Sequence, residues 1–178
     1  MFDDIQRVDQ FKTSSEAEAQ GSFMAGWLSN QLNAYTVPKL EKYGITDIEA
    51  ENWYPYQVFL SISEEIVTEN DNMTEKLVAV GKAAAANIPL ADFESMEAFK
   101  GFIESIHDIA VRNHPEFEGV LLRERGGEYY IINNTPNAND LFYGWLWQVL
   151  SQYTIGGERY ALIPHADYPS FTVGSVFK

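Results

Sequence analysis

The chain has 178 residues, of which 46% are hydrophobic and 14% aromatic, and this length favours one domain with its own core. Its 26 acidic and 12 basic side chains give a net charge of −14, which repels phosphate backbones and anionic lipid heads and excludes sequence-independent nucleic-acid binding. The absence of cysteine excludes disulfides, thiol catalysis and Cys-ligated metal sites.

The N-terminal stretch, residues 1–13, is polar, and we expect it to be loosely ordered. It begins Met1-Phe2-Asp3-Asp4 and lacks the basic start and apolar run of a signal peptide. The sequence contains no run that approaches 18 consecutive apolar residues, so it predicts no membrane-spanning helix. Together these features predict a cytoplasmic protein that does not bind membranes.

Helical patterns follow this stretch. Ser15 and Glu18 have capping-box spacing and predict a helix that runs to about Tyr35. Pro38 suits the first position of a short helix that Gly44 ends.

Two further helices are predicted before residue 90. The first opens at Trp53-Tyr54-Pro55, and its buried stripe consists of Val58, Phe59, Ile62 and Ile66. The second begins at Thr74 and runs to about Asn87. Gly81 lies inside it, where glycine costs roughly 1 kcal/mol relative to alanine. We therefore expect Gly81 to permit close approach of a neighbouring helix, with a flat ligand as the alternative.

The most regular helical pattern extends from Ser95 to Asn113, where Pro115 follows. Its apolar face contains Met96, Phe99, Phe102, Ile103, Ile106, Ile109 and Ala110. This helix is the central element of the predicted helical part.

After Pro115 the pattern becomes that of β-strands. Phe117–Arg125 and Glu128–Asn133 are β-rich runs around Gly126-Gly127, which predicts a hairpin. Two more strands are predicted at Arg159–Ile163 and Ser170–Phe177.

A helix from Asp140 to Tyr153 separates the two pairs of strands. It is apolar on nearly every side, so we expect it to be buried against the sheet. The side chains expected at this interface are Trp145, Leu146 and Val149 from the helix and Leu121 and Ile131 from the strands.

The predicted fold class is therefore α+β, in a single domain that covers residues 1–178. Residues 14–114 form a helical part, and residues 115–178 form a four-stranded antiparallel sheet of order ββαββ with one packed helix.

The search for catalytic and metal-binding patterns identifies no catalytic constellation and no metal site. His107 and His114 are seven residues apart on one predicted helix, whereas a two-His metal site needs a spacing of i,i+4 or closer. His165 lies in a predicted loop or strand end beside Asp167. The sequence lacks a nucleophile elbow, a phosphate loop and a Rossmann glycine pattern.

Several short segments carry a family resemblance. They are Trp53-Tyr54-Pro55, the helix from Leu77 to Gly81-Lys82, the helix end Arg112-Asn113-His114-Pro115, the strand with Gly119, and Asp140-Leu141-Phe142-Tyr143-Gly144. Through these segments, the chain from about Gly44 to Phe177 resembles the superfamily of haem nitric-oxide/oxygen-binding (H-NOX) domains and 4-vinyl-reductase-type ligand-binding domains. The resemblance implies helices first, then a four-stranded antiparallel sheet interrupted by one helix.

Two departures from that superfamily concern haem. Ala110 stands where haem-binding members carry the proximal histidine, with Arg112 following as in the family. The segment from Tyr130 to Thr135 lacks the Tyr-x-Ser-x-Arg element that holds the haem propionates. We therefore expect no cofactor; haem bound through His107 or His114 in a shifted register is the alternative.

The resemblance implies a sensory or regulatory domain that binds a small apolar ligand between the long helix and the sheet. The expected pocket residues are Trp53, Phe59, Phe99, Ile103, Ile106, His107, Ala110 and Tyr130, with His107 at the rim. The alternative is a protein-interaction module, such as a homodimer, whose own aromatic residues fill the pocket. A vinyl-reductase-type enzyme is a third reading for which no residue can be nominated.

Overall fold

The computed structural model describes residues 5–28, 33–69, 73–86, 90–114, 118–164 and 172–178. The fold is α+β, as predicted: helices dominate the N-terminal part, and a four-stranded antiparallel sheet forms the C-terminal part. None of the helices in these segments is long and apolar enough to cross a membrane.

The helices of the described segments are α1 (Gly21–Leu28), α2 (Asn33–Lys42), α3 (Tyr56–Glu69), α4 (Met73–Ala86), α5 (Met96–Ala110) and α6 (Asn139–Gln152). The strands are β1 (Glu18–Gln20), β2 (Trp53–Pro55), β3 (Val111–Arg112), β4 (Gly119–Arg125), β5 (Glu128–Asn134), β6 (Ala161–Ile163) and β7 (Thr172–Phe177).

The larger sheet has the strand order β4-β5-β7-β6, and α6 connects β5 to β6. The predicted hairpin is confirmed: Arg125 pairs with Glu128 across the two-residue turn Gly126-Gly127. Both glycines have positive φ, 62° and 84°, as the twist-compatible hairpin turn requires. The predicted start of the last strand, at Ser170, lies outside the described residues.

A second, three-stranded antiparallel sheet of order β2-β1-β3 was not predicted. Two helix starts were wrong because of it. Glu18 lies in β1 rather than in a helical first turn, so α1 begins only at Gly21. Trp53–Pro55 pairs with β1, so α3 begins at Tyr56 rather than at Pro55. Pairing with distant strands has overridden the local capping-box and proline signals.

The end of α2 follows the prediction, but its start does not. Gly44 ends the helix with φ +74°, and the N–H of Ile45 donates to the carbonyl of Leu40 at 3.1 Å, which is the glycine-dependent Schellman closure. Pro38 lies inside α2 rather than at its first position, because α2 already begins at Asn33.

The long helix α5 begins as predicted, where the Ala98 N–H donates to the Ser95 hydroxyl at 3.1 Å. It ends at Ala110 rather than at Asn113, because Val111 and Arg112 pair with β1. Asn113 then takes a left-handed conformation, φ 58°, which turns the chain back.

The loose order expected for residues 1–13 stays a prediction; residues 1–4 lie outside the described part, and residues 5–13 contact the rest of the chain. Ile5 is buried with Leu121 and Ile132. The Phe11 N–H donates to the Pro136 carbonyl at 2.8 Å, and the Asn134 side chain donates to the backbone of this stretch. Hydrogen bonds to the Asn134 side chain and the Pro136 backbone thus connect this polar stretch to the end of β5 and the loop that follows it.

The helix α6 lies between α4 and the sheet. Leu146 and Val149 are buried in one cluster with Ile131, as predicted. Leu121 faces the opposite side of the sheet, so its predicted contact with α6 was wrong. Trp145 is only half-buried; it packs at the edge of this cluster and stacks on Phe102 of α5.

The crossing of α4 and α6 depends on two glycines. A Cβ atom on Gly81 would lie 2.7 Å from the backbone nitrogen of Trp145. A Cβ atom on Gly144 would lie 2.8 Å from the Cα atom of Val78. The expectation that Gly81 permits close approach of a neighbouring helix is therefore confirmed.

Candidate functional site

A cleft of about 330 Å³ opens beside Ala110, at the C-terminal end of α5. Its walls come from α5, α4 and α6, and the junction of β1 with α1 closes one end. The lining residues are Gln20, Ser22, Phe23, Gly81, Ala84, Phe102, Ile106, Ile109, Ala110, Leu141, Phe142 and Trp145. Two of these twelve are polar, so the cleft is almost wholly apolar.

Aromatic rings and small residues give the cleft its shape. The rings of Phe102 and Trp145 stack with their centroids 5.9 Å apart and their planes 24° apart. Gly81, Ala84 and Ala110 line the cleft without projecting into it. The lining thus combines aromatic rings with small residues, which suits a planar or extended apolar molecule.

One end of the cleft is polar. The Ser22 hydroxyl donates a hydrogen bond to the side-chain oxygen of Gln20 at 3.0 Å. These two groups are the polar part of the lining. They can orient a ligand that carries one polar end, because a few placed polar groups fix orientation in an apolar pocket.

Two of the eight pocket residues predicted from sequence, Ile106 and Ala110, line this cleft. The other six lie elsewhere. Phe99 and Ile103 are buried in the cluster beneath the large sheet, and Phe59 belongs to the core around α3. This apolar cleft therefore lies among the helices rather than between α5 and the sheet.

The remaining three predicted pocket residues have partners outside the cleft. The Arg112 guanidinium lies 4.3 Å from the centroid of the Trp53 ring. Tyr130 is buried, and its hydroxyl donates to Glu128. His107 is buried, with 2% of its surface exposed, rather than placed at a rim.

Sequence reasoning missed the walls that α4 and α6 contribute. The available signal was the small-residue pattern of α4, where Gly81 and Ala84 share one face. Its counterpart on α6 is Gly144, which stands between Leu141 and Trp145. Recognising the cleft required knowing that these two helices cross each other, which no local pattern indicates.

The structure brings His107 and His114 together. Their ring centroids lie 4.6 Å apart with the planes at 87°. The sequence argument that the two residues are too far apart assumed one continuous helix and was wrong on that point, because α5 ends at Ala110 and the left-handed Asn113 returns the chain. His114 Nε2 also lies 3.6 Å from a carboxylate oxygen of Asp108. His165 and Asp167 lie outside the described residues.

Burial governs the protonation of His107. Loss of solvent, and secondarily the neighbouring His114, lowers the pKa of His107 to about 3, so its imidazole is neutral at neutral pH. The buried ring of Tyr56 lies 6.1 Å from it, and burial raises the pKa of that phenol. A neutral imidazole retains a lone pair that can accept a hydrogen bond or bind a metal.

The cleft does not fit haem. Haem iron takes an axial ligand from histidine, cysteine, methionine or tyrosine. The described lining residues include none of these four types and no lysine or arginine that would pair with propionates. Ala110, whose side chain has no metal-binding atom, lines the cleft, and His107 does not line it.

Comparison with known proteins gives no relative: no family model matches the sequence, and no curated protein or solved structure matches the chain.

Proposed function

We propose that the chain is a small-molecule-binding sensory or regulatory domain whose ligand is a small apolar molecule held in the cleft beside Ala110. The observation that carries this proposal is the cleft itself, with its volume of about 330 Å³ and its almost wholly apolar lining. Ligand sites in proteins are typically apolar clefts of about 300–1,000 Å³ with a few polar groups.

The shape and charge of the chain narrow the ligand class. The stacked rings of Phe102 and Trp145 favour a flat molecule, because aromatic faces bind other planar groups well. The net charge of −14 disfavours an anionic ligand. We therefore propose a neutral, flat or short-chain molecule with one polar end that faces Gln20 and Ser22.

The proposal includes a divergent, haem-independent place in the H-NOX-like and vinyl-reductase-type superfamily. Support comes from the order of elements, in which helices precede two antiparallel strand pairs separated by α6. It also comes from Ala110, which lines the cleft and, by the sequence resemblance, stands at the position of the haem ligand.

The elements that meet at the cleft support the proposed sensory role. Ala110 is the last residue of α5, and β3 begins at the next residue and pairs with β1. Gln20 at the end of β1 lines the same cleft. A ligand that touches both would stabilise the pairing of β1 with β3, and ligands shift equilibria through such differential contacts.

A neutral fluorescent probe, N-phenyl-1-naphthylamine, tests this proposal. We expect its fluorescence to rise on binding the wild-type chain. Ala84→Leu, which fills the cleft from α4, should weaken binding at least about tenfold, or about 1.4 kcal/mol. Ala83→Leu is the matched control, because Ala83 is the exposed neighbour on the same helix. Equal binding by both variants would contradict the proposed site.

The second candidate function is a protein-interaction module, which the exposure of Ile109 favours. Ile109 stands in the cleft lining with 65% of its surface exposed. In a homodimer, this side chain would enter the partner's apolar surface. Analytical ultracentrifugation separates the two functions: concentration-dependent association that Ile109→Glu abolishes, without probe binding, would favour the interaction module.

A further inference from the structure

We propose that His107, Asp108 and His114 form a binding site for a divalent first-row transition metal ion, separate from the apolar cleft. One ligand atom from each of these residues lies within 4.8 Å of the others. The proposal rests on this convergence of two imidazoles and a carboxylate.

The path of the chain creates the convergence. His107 and Asp108 lie in the last turn of α5, which ends at Ala110. β3 then pairs with β1, and the left-handed conformation of Asn113 directs His114 back onto that last turn. A longer helix would have kept the two histidines on separate turns. The early end of α5 therefore allows both side chains to bind the same metal ion.

The distances approach those of a metal site. Around a tetrahedral ion with bonds of about 2.0–2.1 Å, donor atoms lie about 3.3 Å apart. The His114 Nε2 atom and the Asp108 oxygen are already 3.6 Å apart. The Asp108 side chain is 73% exposed, so its carboxylate can move to complete the metal coordination geometry.

The donor set selects the class of metal. Calcium and magnesium prefer sites made of oxygen atoms, whereas imidazole favours zinc, copper, iron and nickel. Two histidines and one carboxylate leave at least one coordination position for water, as in catalytic zinc sites and non-haem iron sites. The chain has no cysteine to draw a softer ion to another set of ligands.

The burial of these side chains is compatible with such a site. His107 is buried, with 2% of its surface exposed, whereas the Asp108 side chain is exposed. Gly119 of β4 packs directly on His107, since a Cβ atom there would lie 3.3 Å from the His107 Cβ atom. Gly119 thus covers His107 from the protein side, while the exposed Asp108 leaves a path for the ion from solvent.

Zinc titration of the 178-residue chain, after removal of metal with a chelator, tests the site by calorimetry. We expect one Zn²⁺ per chain. Loss of a residue that only supports a metal ligand weakens metal affinity about 10- to 100-fold. His114→Ala and Asp108→Asn remove proposed ligands themselves, so each should weaken Zn²⁺ binding at least about 100-fold. Glu97→Gln is the control, because it removes one exposed carboxylate from the same helix.

A second readout reports the ligands directly. Co²⁺ bound in place of Zn²⁺ should give visible absorption bands that disappear in His114→Ala. Both ligand variants change residues outside the core, so circular dichroism of the chelator-treated proteins should show an unchanged fold. The proposal is overturned if the wild-type chain binds no stoichiometric Zn²⁺. It is also overturned if His114→Ala and Asp108→Asn bind Zn²⁺ as tightly as Glu97→Gln does.

Discussion

Replacing Gly144 by alanine tests the close crossing of α4 and α6, which forms one wall of the cleft. The new methyl group would lie 2.8 Å from the Cα atom of Val78, whereas carbon atoms in ordinary contact are about 3.5–4.0 Å apart. The helices must therefore separate by at least about 0.7 Å. No rotamer change can relieve the clash, because its partner is backbone.

The expected cost follows from two opposing contributions. Overpacking a close-packed interior costs about 1–3 kcal/mol, and a backbone clash belongs at the upper end of that range. Alanine recovers roughly 1 kcal/mol through its better helix propensity. We expect Gly144→Ala to lower the free energy of unfolding by about 2 kcal/mol. For a chain of this length that corresponds to a fall in Tm of about 4–8 °C.

Thermal and urea denaturation followed by circular dichroism provide the assay, and Gly101→Ala is the control. Gly101 lies inside α5, and a Cβ atom there would meet no other atom within 4 Å. That substitution should therefore stabilise the chain by about 0.5–1 kcal/mol. The same residue change is thus expected to have opposite signs at the two positions.

The double variant Gly81→Ala/Gly144→Ala sharpens the test. Because the first methyl group already forces the helices apart, the second should cost less than it does alone. The reasoning would be refuted if Gly144→Ala stabilised the chain as much as Gly101→Ala, since α4 and α6 would then not be in backbone contact.

Three further outcomes are expected. Leu146→Ala should lower the free energy of unfolding by about 2–5 kcal/mol because Leu146 is fully buried. Trp145→Ala should lower it by less than the 3–5 kcal/mol typical of a buried ring, because Trp145 is half-buried. Denaturation midpoints measure both losses, and an equal or larger loss for Trp145→Ala would contradict the half-buried position. The Thr154 N–H donates a hydrogen bond to Asp92 at 2.6 Å, and this bond is the main cause that lowers the pKa of that carboxyl. The resulting stabilisation is present above the unfolded pKa and is lost as the pH falls through the folded pKa. Asp92→Asn should therefore make Tm fall less steeply with decreasing pH, and an unchanged pH dependence of Tm would count against this prediction. The purified protein should show no Soret band at one haem per chain, and a stoichiometric band lost in His107→Ala or His114→Ala would reverse that prediction.

The elements that sequence analysis located carry their signals within a few residues. Gly126-Gly127 specifies the hairpin turn because both positions need positive φ, and Gly44 ends α2 for the same reason. Ser95 begins α5 through a side-chain hydrogen bond to its own first turn. In each case the decisive interaction is local, so the sequence states it directly.

The features that sequence analysis missed depend on contacts between distant segments. The strands β1, β2 and β3 have only two or three residues each, which is too short for a periodic pattern. Pairing of Val111 with Ala19 ended α5 early, and this end in turn brought His114 to His107. The cleft likewise required the crossing of α4 and α6. The candidate sites were therefore less predictable than the fold class.

The small sheet has a consequence for the order of folding. Its strands come from the beginning, the first third and the second half of the chain, so closing it carries a large loop entropy. The β4–β5 hairpin, in contrast, closes through two residues and can form within microseconds. We expect the small sheet to assemble late, and pulse-labelled hydrogen exchange would show late protection of Ala19 and Val111. Because β1 contributes Gln20 to the cleft and β3 leads the chain to His114, neither site would be complete in a chain whose C-terminal half alone has folded.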